Sequence, residues 1–232
     1  KEKEDLVPQQ EAVEQTLGKE EYKEMQKAIS DDCITLVKYK DQDVLPVTPQ
    51  RYKRIMIVHV KGAESGMSFL MKAMGMGGKK NPAELLKEKL CAKGFDAFIY
   101  ESPLDAMKKK IEAGEKPDIN LYFAGKNAIA DFVKDMDMVI TLCDVPSGRP
   151  SFGMSKGGGE IPWYVFELPV VVVGCGQPTM LADIPQARTY INTYDADSST
   201  FDALVDKLMA GPEAFTAVDP IDSFCGLFDA RL

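Results

Sequence analysis

The sequence predicts an α/β fold, a three-layer αβα sandwich built on a mainly parallel sheet. Two observations carry that expectation. Short β-rich runs alternate with helical stretches opened by cap residues and closed by glycine, which is the pattern of βαβ units. One run, Val170-Val171-Val172-Val173, is purely β-branched, as a central strand covered on both faces requires.

The elements follow in order. Residues 11–30 place Val13, Leu17, Met25 and Ile29 at helical spacing among many Glu and Lys. Residues 33–39 form the first predicted strand and 54–60 the second. A helix is predicted over 81–93, with Asn81 as its cap, Pro82 at its first position and Gly94 ending it. A strand at 95–100 comes next, then a helix opened by Ser102 and Pro103 and closed by Gly114, then a helix over 119–134. The strand 138–143 leads into a polar, glycine-rich loop over 144–160 and a short helix at 163–167. Beyond the valine run, residues 189–194 read as a strand and 198–210 as a helix capped by Ser198 or Ser199. Open sheets of this kind bind ligands beyond the carboxyl ends of their strands. The stretches 61–66, 144–160 and 174–178 are therefore where a site is expected.

Bulk properties narrow the function classes. A chain of 232 residues buries about 70% of the surface it exposes when unfolded, so it needs no disulfide or metal staple. A net charge of −8 and a pI near 4.9 argue against general affinity for nucleic acid or an anionic membrane. No apolar run reaches the roughly 20 residues that span a bilayer, and a neutral partner such as a sugar fits. Cys33, Cys91, Cys143, Cys175 and Cys225 are odd in number and widely spaced, with no C-x-x-C pair. They read as small buried hydrophobes in a reducing, cytoplasmic setting, not as a disulfide framework or a zinc site. The chain opens at Lys1 without an initiator Met or signal peptide, which reads as an excised piece of a longer protein.

Most chemical motifs fail on inspection. Ala73-Met74-Gly75-Met76-Gly77-Gly78-Lys79-Lys80 lacks the leading Gly and the Ser or Thr after Lys that a phosphate loop needs. Gly174-Cys175-Gly176 follows a strand, but the third glycine of a dinucleotide fingerprint falls at Thr179. Two glycines after a buried strand serve close turning. Gly153-Met154-Ser155-Lys156-Gly157 matches a nucleophile elbow in letters, yet Ser155 lies deep in a loop instead of directly after a strand. His59 is the sole histidine and reads as a hydrogen-bonded strand residue, which leaves no base for serine or cysteine chemistry and no metal-ligand set. Glu64, Asp144 and Glu160 stand out as carboxylates in strand-end loops.

Three stretches together resemble the carboxy-terminal domain of family-three glycoside hydrolases. They are Ala28-Ile29-Ser30-Asp31-Asp32-Cys33-Ile34-Thr35-Leu36-Val37-Lys38 with Leu45-Pro46-Val47, Pro169 to Val173 with Gln177-Pro178-Thr179-Met180-Leu181-Ala182-Asp183-Ile184-Pro185, and Thr189-Tyr190-Ile191-Asn192-Thr193-Tyr194. The resemblance implies a linker helix over 1–32 leading from an absent barrel domain, then the sandwich domain over 33–232. It implies an amino-terminal (β/α)8 barrel that supplies an aspartate nucleophile, with the sandwich packed at its mouth. Retaining hydrolysis needs both a nucleophile and an acid/base in one site. In the β-glucosidase branch of that family the acid/base glutamate lies in an S-G-E-G motif; here Ser147-Gly148-Arg149 occupies the place. Arginine stays protonated and cannot donate a proton at neutral pH. The resemblance is therefore to the β-N-acetylhexosaminidase-like branch, whose acid/base sits on the barrel, and no catalytic residue is expected in this chain; the weaker alternative is that Glu160 replaces the missing glutamate.

The expected partners are the barrel domain and, through the assembled site, a carbohydrate; no cofactor, metal, nucleic acid or membrane is expected. The candidate substrate- or barrel-facing residues are Ser147, Arg149, Lys156, Glu160 and Glu64. A second expectation from another class is a free-standing nucleotide- or flavin-binding module using the glycine loops. A third is an interaction domain held through the methionine-rich stretch from Met67 to Met76.

Overall fold

The structure, a computed structural model, describes residues 13, 19–40, 43–61, 81–101, 110–111, 113–114, 116, 134–145 and 167–220. Within them the helices are α1 (Glu20–Cys33), α2 (Pro82–Ala92) and α3 (Ser198–Ala210). The strands are β1 (Thr35–Tyr39), β2 (Arg54–Lys61), β3 (Asp96–Ile99), β4 (Met138–Val145), β5 (Val170–Gly176) and β6 (Thr189–Asn192). They form one sheet in the order β1-β6-β5-β4-β2-β3. Every pairing is parallel except that of the edge strand β1 with β6, which is antiparallel and shifts register between Leu36 and Lys38. The α/β sandwich with a mainly parallel sheet is thus as expected. The predicted helices near 103–113, 119–134 and 163–167 fall largely outside the described residues.

Alternation along the strands divides the core in two. On one face Ile55, Ile57, Ile140, Leu142, Val171 and Val173 pack under α2 and α3. On the other, Met56, Val139, Val172 and Tyr190 pack with Met180 and Leu181 of the short 3-10 helix Pro178–Asp183. Leu86 and Leu90 of α2 and Phe201 and Leu204 of α3 are fully buried, each contributing about 1.5–3 kcal/mol from area alone.

Local chemistry explains the helix ends. The Asn81 side chain accepts from the Ala83 amide at 3.2 Å, and Pro82 opens α2 where no intrahelical donor is lost. Gly94, at φ +91°, closes it by donating to the Cys91 carbonyl at 3.0 Å. For α3 the cap is Asp197, not either serine: its Oδ1 accepts from the Thr200 amide at 2.7 Å and from the Ser199 hydroxyl at 2.9 Å. A carboxylate at that position also meets the positive end of the helix dipole.

α1 begins at Glu20 and docks on α3 through polar side chains. Gln26 donates to Asp197 at 2.7 Å, and the Ser30 hydroxyl lies 3.4 Å from those of Ser199 and Thr200. Two of the apolar residues that carried the helical periodicity do not face this core: Met25 and Ile29 are 59% and 56% exposed, beside Tyr22 at 46%; Leu17 lies outside the described residues.

The glycine at the centre of β5 has a packing reason. A Cβ on Gly174 would stand 2.2 Å from the Tyr190 hydroxyl and 2.9 Å from Asn192 Oδ1. The phenol of a fully buried tyrosine lies across that backbone, so Gly174 serves close packing.

Two predictions follow from this packing. Gly174→Ala lowers unfolding stability in urea by about 1–3 kcal/mol, and adding Tyr190→Phe, which removes the nearest atom, recovers part of that loss. An unchanged Gly174→Ala midpoint contradicts this. For Asp197, burial raises the carboxyl pKa, but the bonds from Thr200, Ser199 and Gln26 outweigh it and hold it below its usual value of 3.8. A depressed acid contributes stability above its unfolded pKa and loses it as pH falls through the folded one. Asp197→Ala therefore costs about 1 kcal/mol near neutral pH, and the difference from the parent chain shrinks as pH falls below 4, checked by urea melts across pH.

Candidate functional site on the carboxyl rim of the sheet

The order of strands fixes where a ligand can sit. From β2 the chain steps outward to β3, then returns to β4 on the other side of β2 and continues through β5 to β6. The winding direction reverses between β2 and β4, and the crevice outside their carboxyl ends is the expected binding place in an open α/β sheet.

Two chemistry-bearing side chains meet there. His59 lies near the end of β2 and Asp144 near the end of β4, in register positions two apart on the paired strands. Alternation sends both to the face covered by α2 and α3, and His59 Nε2 stands 3.8 Å from Asp144 Oδ2. The imidazole side chain is 6% exposed and the carboxylate 40%. Neither imidazole nitrogen has a hydrogen-bond partner among the described residues. The expected hydrogen-bonded strand histidine is thus in a strand, but its ring points at a carboxylate just beyond bonding distance.

The rim continues across β5 and β6. Cys175 is the register partner of Asp144. The Thr193 hydroxyl donates to the Asp195 carbonyl at 2.8 Å and lies 3.4 Å from Cys175 Sγ. Burial pushes the Cys175 thiol up to about 12, aided by the Asp144 and Asp195 charges and opposed by the Thr193 contact. Burial likewise raises the Cys143 thiol. A thiol held protonated is a poor nucleophile, so neither supplies covalent chemistry. Tyr194 follows with φ +61°, a left-handed conformation costly for a bulky side chain. Its hydroxyl bonds Thr35 Oγ1 at 3.1 Å and ties this turn to β1.

Of the sequence-derived candidates, Glu64, Ser147, Arg149, Lys156 and Glu160 lie outside the described residues, as do the methionine-rich stretch and the Ala73 to Lys80 loop. Asp144, singled out as a strand-end carboxylate, is on the rim. The pairing with His59 went unseen because the two are far apart in sequence; alternation along 54–60 and 138–143 was the signal that could have found it. Not all cysteines are small buried hydrophobes: Cys33 and Cys91 are exposed, whereas Cys143 and Cys175 are buried. Among the described residues no group of three or more acidic, histidine or cysteine side chains could hold a metal ion, and no helix is long and apolar enough to cross a membrane.

No protein-family model matches the sequence. A curated relative, a beta-N-acetylglucosaminidase/beta-glucosidase of Cellulomonas fimi, is 27% identical over 207 residues, which are 88% of this chain and 33% of that protein. A solved beta-glucoside phosphorylase superposes over 98% of this chain and 36% of its own, at 28% identity and a TM-score of 0.64. A family-three beta-N-acetylglucosaminidase from Paenibacillus sp. str. FPU-7 shares the fold over 88% of this chain, at 13% identity and a TM-score of 0.53. The chain spans about a third of the length of each of these relatives.

The thiol environments give a direct test. In a Cys225→Ser background, two thiols (Cys33 and Cys91) react promptly with an aromatic disulfide reagent in the native chain, while Cys143 and Cys175 react only as the protein unfolds. Rapid modification of Cys175 in the folded chain contradicts the burial described.

Proposed function

We propose, from the chain's similarity to the carboxy-terminal domain of family-three glycoside hydrolases, that it is the accessory domain of a larger β-N-acetylhexosaminidase-like enzyme that hydrolyses O-glycosidic bonds. The nucleophile in this reading belongs to an amino-terminal (β/α)8 barrel outside this sequence. The observation that carries it is the Cellulomonas fimi relative, named for glycosidase activity, against which nearly the whole chain aligns while covering only a third of that protein.

The physical features fit such a role. Among the described residues the rim of the sheet offers a carboxylate and an imidazole but no competent thiolate. In this reading residues 1–32 are the linker helix and 33–232 the sandwich, and the exposed stripe of Tyr22, Met25 and Ile29 on α1 is surface for the barrel to cover. Ser147, Arg149, Lys156, Glu160 and Glu64 are the side chains proposed to face substrate or barrel. Cys33, Cys91, Cys143 and Cys175 are free thiols, which suits a reducing cytoplasm.

A second reading is favoured by one observation: the structural relative at 28% identity is named a beta-glucoside phosphorylase. In that reading the parent enzyme passes the glycosyl group to inorganic phosphate instead of water. The glycosidic C–O bond breaks, a glycosyl phosphate forms and the leaving alcohol takes a proton. Arg149 and Lys156 carry the positive charge that an anion calls for.

A chromogenic N-acetylglucosaminide separates these readings. The isolated chain is expected to show no turnover and the parent protein robust turnover; hydrolysis by the chain alone overturns the accessory role. Acceleration of the parent by phosphate, with glycosyl phosphate as product, selects phosphorolysis over hydrolysis.

A further inference from the structure

We infer that Asp144, backed by His59, is a hydroxyl-binding subsite for a neutral sugar, and this inference depends on the glycosidase reading for the class of ligand. Three observations converge on it. The pair sits where the winding of the sheet reverses, at the carboxyl ends of β2 and β4. The Asp144 side chain is 40% exposed, so part of its carboxylate meets solvent while its inner oxygen faces the ring of His59. That ring is buried with both nitrogens unpartnered among the described residues, and Nε2 points at Oδ2 from 3.8 Å.

The chemistry suits a polyol more than a charged ligand. A carboxylate is acceptor-only and takes one or two sugar hydroxyls as donors, and bonds to a charged acceptor are stronger than neutral ones. An anion is repelled by Asp144 and by Asp195 nearby on the same rim, and the described residues form no metal-ligand set. A buried imidazole whose nitrogens find no partner among the described residues leaves its desolvation uncompensated. A shift of less than about 1 Å brings Nε2–H onto Oδ2 within ordinary bonding distance, which gives Nε2 a partner and fixes the carboxylate's orientation. His59 is thus a positioning residue and Asp144 the group that touches the sugar.

His59 being the only histidine, its ring protons give one resolved reporter at the site. The experiment titrates this chain with methyl β-D-glucopyranoside and with N-acetyl-D-glucosamine while following those protons by NMR. A saturable shift is expected with at least one sugar. Asp144→Asn, which keeps shape and removes charge, weakens binding about tenfold or more, with the rest of the amide spectrum showing that it stays folded. His59→Gln, followed through backbone amides of β2 and β4, weakens it less. Asp135→Asn, preceding β4 at the opposite end of the sheet, leaves affinity unchanged. An imidazole unmoved by both sugars, or equal affinity in Asp144→Asn, overturns the subsite. If the full-length protein hydrolyses such glycosides while the ring stays unmoved, only the subsite falls; if it hydrolyses none, the glycosidase reading falls.

Discussion

The structure depends on burying a parallel sheet on both faces at once. Ile140 and Leu142 of β4, with Val171 and Val173 of β5, have no exposure, and their alternate neighbours Val139 and Val172 pack just as tightly on the reverse side. Such strands have no free face on which to build chemistry. What remains is the rim, and the reversal of winding between β2 and β4 leaves its opening at one place. The position of His59 and Asp144 follows from topology before any functional argument begins.

The rest of the chain holds that rim in shape. Gly174 lets the Tyr190 ring cross β5, and the Asn192 amide donates to the Pro178 carbonyl at 3.3 Å, seating the turn after β5 against β6. On the helical face, Lys89–Asp202 at 2.7 Å and Lys93–Asp206 at 2.6 Å join α2 to α3; such half-exposed pairs orient more than they stabilise. Lys207 is more consequential. Almost fully buried, it donates to the Ala214 carbonyl at 2.7 Å and stands 3.4 Å from Asp31 of α1. It binds α3, the segment after it and α1 into one unit, so the helix that the family resemblance marks as a linker is packed onto this domain.

Much of this was legible from residues alone. The run from Val170 to Val173 announced a central strand because β-branched side chains on both faces have no other stable use. Asn81-Pro82 and Gly94 bracketed α2 because capping is local chemistry. Other features were settled by tertiary contacts that one segment cannot reveal. The antiparallel pairing of β1 reflects its docking on β6, not a preference in Thr35 to Tyr39. The cap of α3 fell to Asp197 because three adjacent residues could each cap and only the backbone geometry chooses. Met25 and Ile29 kept helical spacing yet face outward, since periodicity reports a face and not what covers it. The His59–Asp144 pair joins two strands that α2 and β3 separate in sequence, so proximity needed the sheet order.

On the function proposed above, the chain plays a supporting part in sugar chemistry, concentrated at the carboxyl ends of β2 and β4. A crystal structure of the parent protein holding a bound sugar tests this most directly. The expected result is a sugar cavity lined by the β2–β4 rim, with Asp144 within hydrogen-bond distance of a sugar hydroxyl. A sugar bound wholly away from this rim, with the amino-terminal ends of the strands turned toward it, contradicts it.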